Sequence, residues 1–169
     1  MRGNLANYSE WQQIVNKILE LVRNNNQLLK LLCNYNGNPY EKNPPSWDKI
    51  ILKNVFPMPK EPTSVDEQKT FLNVYMYDSS IKDENPYFFE DILCVEVGCN
   101  LETWMLENGE IRPYTIVSMV GSMVNNKSIP DLSIQKVIPE LTKVIKFGDM
   151  FYGYRMFFKL TNSGGISCG

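Results

Sequence analysis

The sequence predicts an α+β domain: a mostly antiparallel sheet with an N-terminal amphipathic helix and a second helix packed on it. Three observations point there. Apolar residues recur at helical spacing over residues 9–23. Residues 71–77 and 88–97 form two strand-like apolar runs, and residues 150–161 form a third, dense in aromatics. Between them, the Asn108-Gly109 pair is a strong tight-turn signal, because both residues tolerate positive φ.

In chain order, Ser9 and Gln12 fit a capping box that opens the first helix. Trp11, Ile14, Val15, Ile18, Leu19 and Val22 make its apolar stripe, and Gln13, Asn16, Lys17, Glu20 and Arg23 its polar face. The three asparagines at 24–26 break it. Residues 27–33 predict a second short helix that is apolar nearly all round, suited either to the core or to a neighbouring subunit. Loops follow at 34–48 and 55–66, held open by Gly37 and by prolines 39, 44, 45, 57, 59 and 62. A short ordered piece separates them. Tyr40 and Trp47 make the first loop adhesive; a plain exposed connection is the simpler alternative.

Residues 68–78 predict a strand, with Leu72, Val74 and Met76 alternating against Phe71, Asn73, Tyr75 and Tyr77. Residues 78–86 read as a polar loop. Residues 87–97 predict the next strand, with Leu93, Val95 and Val97 on one face and Ile92, Cys94 and Glu96 on the other. A hairpin bearing Trp104 should then turn at Asn108-Gly109. Pro113 suits the first turn of a helix running to about Asn125. Pro139 splits residues 132–138 and 141–147 into two short strands or edge pieces. In the last strand, Tyr152, Tyr154, Met156, Phe158 and Leu160 are assigned to the core. The whole reads as one domain, residues 1–162, with a flexible tail at 163–169.

Apolar residues make up 43% of the 169-residue chain and charged residues 21%, enough to bury a core. A net charge of −2 argues against general nucleic-acid binding. The chain has no histidine, which removes His-based catalysis and His metal ligands. Cys33, Cys94, Cys99 and Cys168 form no C-x-x-C pair and read as reduced thiols rather than a zinc site. Phosphate-cradling glycine motifs are absent, so no cofactor is expected. A carboxylate metal site among Asp83-Glu84, Glu90-Asp91, Glu96 and Glu102 is the alternative to solvated or paired charges. No enzyme activity is expected. Neither a signal peptide nor a membrane span is read, since no apolar run approaches ~20 residues. Arg112 and Arg155 lie at the helix entry and amid strand aromatics. There an arginine stacks on rings or forks a carboxylate such as Glu96 or Glu90, or contacts another subunit.

The order of elements resembles the neck proteins of tailed bacteriophages, the tail terminators and head–tail connector or ring proteins. The likeness spans roughly residues 9–162: the amphipathic helix, the central strands and the Trp104 hairpin with Asn108-Gly109 and Ile111-Arg112-Pro113. The following helix and the terminal strand with Phe151-Tyr152-Gly153-Tyr154 complete it. The resemblance implies a structural virion protein made in the host cytoplasm. It implies a homo-oligomeric ring, a hexamer or dodecamer, that joins the head and portal side to the tail. Genomic DNA would pass through its channel without sequence-specific binding. Partners would be itself and the neighbouring portal, connector and tail proteins, with no membrane. Subunit-interface candidates are Trp104, Asn108, Gly109, Arg112, Arg155, Tyr40 and Trp47. The alternative is a non-enzymatic interaction adaptor of the cytoplasm.

Overall fold

The computed structural model describes residues 8–62, 70–82, 85–125 and 134–162. The expected tail at 163–169, the end of the second loop at 63–66 and the Asp83-Glu84 pair lie outside them. Helix α1 (Tyr8–Asn24) buries Ile14, Ile18, Leu19 and Val22 and leaves Gln12, Gln13, Asn16 and Lys17 exposed. It already includes Tyr8, so Ser9 lies inside its first turn and is not the expected N-cap. Helix α2 (Asn26–Cys33) is capped by Asn25, whose side chain accepts from the Leu28 amide at 3.1 Å. Leu28, Leu29, Leu31 and Leu32 are all buried in the subunit's own core. The short ordered piece is helix α3 (Trp47–Ile50) and a tight turn through Leu52. Asn54 closes this region: its Nδ2 donates to the carbonyls of Leu32 and Thr70 and to the Tyr35 hydroxyl.

Among the described residues five strands form one sheet: β1 (Val55–Phe56), β2 (Thr70–Lys82), β3 (Asn85–Asn100), β4 (Ile134–Lys146) and β5 (Phe151–Asn162). Their spatial order is β1-β2-β3-β5-β4, antiparallel throughout except for the short parallel pair β1–β2. The expected α+β class is what the chain adopts. Helices α1, α2 and α4 (Arg112–Val124) cover one face of the sheet. Under them lie Leu72 and Val74 of β2, Leu93, Val95 and Val97 of β3, and Met156, Phe158 and Leu160 of β5.

Three further expectations change. The polar loop at 78–86 is largely strand: β2 runs on to Lys82 and β3 starts at Asn85. The Trp104 hairpin shrinks to one bridge, Met105 with Ile111, after a 3-10 turn at Leu101–Thr103. Its turn is real: the Gly109 amide donates to the Leu106 carbonyl at 3.0 Å, with Gly109 at φ +84°. Finally, Pro139 does not split a strand in two. β4 is continuous, with a register shift between Pro139 and Leu141. It is the edge strand, where proline's missing N–H costs no ladder bond if it faces outward.

The opposite face of the sheet carries a smaller aromatic cluster. Phe56, Phe71 and Phe147 are buried together with Phe151 against them. The tip of the Phe71 ring covers Gly98, where any Cβ would sit 2.2 Å from the ring.

Candidate functional site

Arg112 begins α4, and its side chain is wholly buried. Nε donates to the Thr103 carbonyl at 2.7 Å; Nη1 donates to Leu31 at 2.6 Å and Asn34 at 2.8 Å; Nη2 donates to Asn36 at 3.0 Å. Two of these acceptors are in the last turn and C-cap of α2, where helix carbonyls lack intrahelical partners and the dipole favours a cation. Burial holds its pKa below the usual arginine value. Neither a carboxylate pair nor a subunit contact describes it in this fold; it ties α2 to α4 from inside.

Arg155 follows the carboxylate expectation. On β5 it lies opposite Glu96 of β3, and its Nε donates to Glu96 Oε1 at 2.6 Å. Glu96 is 2% exposed and also accepts from Asn73 Nδ2 at 2.8 Å and the Tyr75 hydroxyl at 3.0 Å. Three side chains thus satisfy one buried carboxylate on the face away from the helices. Burial, with Cys94 and Glu96 nearby, pushes the Tyr75 phenol far up, so it stays a neutral donor.

The remaining candidates fall in two places. Tyr40 and Asn108 come together where the Glu107 amide donates to the Gly37 carbonyl at 2.9 Å. Gly37, Pro39, Tyr40, Leu106 and Asn108 line a pocket of about 240 Å³ there. Asn108 is exposed in its wall, and Gly109 next to it in the chain is exposed too. Trp104 is half-buried behind them, its indole N–H on the Cys99 carbonyl at 3.1 Å. Trp47 lies elsewhere, half-buried against the main core beside α1. The adhesive loop residues therefore spend much of their surface on their own subunit.

Two features were missed by sequence reasoning. The first is the outer side of β4, which has no strand neighbour among the described residues. Ile138, Leu141 and Val144 are 36%, 44% and 71% exposed along it. The apolar content was visible in the sequence, but reading Pro139 as a break hid the length of the strand. The second is a groove between α1 and β2. Trp11, Val15, Asn16, Pro57, Tyr75 and Met76 line one hollow of about 460 Å³. Asn16 and Pro57 are shared with a second hollow beside Trp47.

The described residues contain no cluster of Cys, Asp and Glu able to hold a metal ion. Burial pushes the Cys33 and Cys94 thiols up to about 11 and Cys99 up to about 12. Among the described residues no helix is long and apolar enough to cross a membrane. No curated protein matches the chain. Residues 25–160 match the YomW family, and the matched segment runs from the N-cap of α2 to the end of the last strand's core positions. That segment holds the sheet but for the last two residues of β5, the Arg112 tie and the Glu96 network, and YomW is a phage-associated family; the chain belongs to it.

Proposed function

We propose that this protein is a structural virion component that assembles as a homo-oligomeric ring in the phage neck, joining the head and portal side to the tail around the DNA channel. The observation that carries the reading is the outer edge of β4, a 13-residue strand with exposed apolar side chains on both faces. Pro139, the register shift beside it and the charges of Lys136, Glu140, Lys143 and Lys146 limit indiscriminate pairing, yet Ile138, Leu141 and Val144 stay exposed between them, and such an edge can still pair with one matched chain. Membership of a phage-associated family supplies the setting. The buried Glu96 network and the Arg112 tie stiffen the body that presents the edge. A tail terminator and a head–tail connector are the two forms this reading takes.

The test is genetic and structural together. Deleting the gene from a phage that encodes it should give filled heads and tails that fail to join, and the protein should be found in purified wild-type particles. Purified protein mixed with the neighbouring portal and tail proteins should form rings by electron microscopy. Normal joined particles after deletion, or a protein absent from virions that stays monomeric with those partners, would favour a soluble adaptor instead.

A further inference from the structure

Resting on the ring reading, we infer how one copy meets the next: the outer edge of β4 adds, antiparallel, to the outer edge of β2 in a second copy, beside α1. The sheet has two open sides. One is β4. The other is β2 beyond β1, because β1 pairs only with Leu72 and Asn73 and leaves residues 74–78 without a strand neighbour among those described.

The two open stretches lie at the same level. Following the ladder, Tyr75 is level with Cys94, then Phe157, then Leu141. Asp78 is level with Ile92, Lys159 and Ile138. Residues 138–142 of one copy therefore face residues 74–78 of a neighbour turned about an axis along the strands. Strand direction agrees as well. The four long strands alternate, so β2 and β4 run in opposite directions and their junction continues the antiparallel pattern.

The surfaces match. Tyr75 and Met76 form one wall of the α1–β2 groove, with Trp11, Val15 and Pro57 around it. The facing stretch of β4 brings exposed Pro139 to the groove at the level of Met76, and on the other face sets Ile138 and Leu141, both exposed and apolar, beside Tyr75 and Tyr77. Lys136 and Lys143 flank that stretch, while Asp78 is exposed on β2 at the level of Ile138. A five-residue pairing buries well under the roughly 1,600 Å² of a stand-alone interface. Each junction is weak alone, and a head-to-tail contact gains stability when the ring closes. Pairing β4 with β4 would instead stop at a dimer and leave the groove empty.

Two edge-specific variants test this. L141K/V144K charges β4; N16W fills the groove from the exposed side of α1, away from the core. Both should melt like the wild type and, separately, form no rings with the neck partners. Mixed together they should give paired copies by mass photometry at high concentration but no closed rings, since only one junction is intact. Self-association of N16W alone would show β4-to-β4 pairing and overturn the inference. Rings formed by both variants would overturn it while leaving the ring reading standing. A wild type that never forms rings would end both.

Discussion

Arg112 Nη1 donates to the carbonyl of Leu31 at 2.6 Å, joining the first residue of α4 to the last turn of α2 across 81 positions of sequence. The same guanidinium also serves Thr103, Asn34 and Asn36. R112M removes every donor and leaves buried carbonyls unsatisfied, each costing about 1–3 kcal/mol. We expect a loss of about 3 kcal/mol or more in urea unfolding, with R112K recovering only part because an ammonium cannot reproduce the fork. A loss under about 1 kcal/mol would show that water replaces the guanidinium at little cost.

The Glu96 carboxylate should depend on its partners unequally. R155A removes a partly exposed cation, so water compensates in part and a cost of about 1–2 kcal/mol is expected. N73A takes a donor from a fully buried position and should cost a similar amount without any gain in salt sensitivity. A double-mutant cycle between Glu96 and Arg155 should be non-additive. Strict additivity would mean that the two do not stabilise each other.

Gly98 and Gly153 are needed for close approach rather than for turns. A Cβ on Gly98 would meet the Phe71 ring at 2.2 Å, and one on Gly153 would meet the Val97 carbonyl oxygen at 1.8 Å. G153A has no side chain to push aside and should abolish soluble expression or cost more than about 3 kcal/mol. G98A should also destabilise, but F71L beside it should restore part of the loss. If F71L worsens G98A, the ring is not what excludes the methyl group.

Stability should fall in alkali. Burial raises the folded-state pKa of the thiols at 33 and 94 from 9.0 to about 11, and that of Cys99 to about 12. Above pH 9 the unfolded chain therefore holds fewer thiol protons than the folded one. The stabilisation is fully present below pH 9 and is lost as pH rises through 11 and 12, at up to about 1.4 kcal/mol per pH unit for each thiol. Unfolding in urea at pH 8 and 10.5 checks the sign. In a C168S background, Cys94 and Cys99 should react with a thiol reagent only after unfolding, and part-exposed Cys33 before them.

The Asn108-Gly109 turn separates local strain from assembly. N108V/G109V places a β-branched residue where φ is +84° and should cost about 1–2 kcal/mol. Under the ring reading the same variant should assemble poorly with neck partners at temperatures where it remains folded. Normal assembly would remove this turn from the contact surface.

The sequence by itself determined what depends on neighbours along the chain. Helical spacing from Trp11 to Val22, alternation from Leu72 to Met76, the Asn-Gly turn and Pro113 in the first turn of α4 each act over a few residues, and all appear in the fold. The Glu96–Arg155 pair was legible as one of several options, because a charged residue inside an apolar strand needs a partner. Only the tertiary structure decided which role each arginine takes. Arg112 serves carbonyls from α2 that stand nearly eighty or more positions away, and carbonyls carry no side-chain signature in the sequence. Strand order was likewise hidden. Pro139 breaks a central ladder but is harmless on an outer edge, and only the β1-β2-β3-β5-β4 order puts β4 there. The open edge and the α1–β2 groove exist only once distant segments pack, so no local pattern announces them.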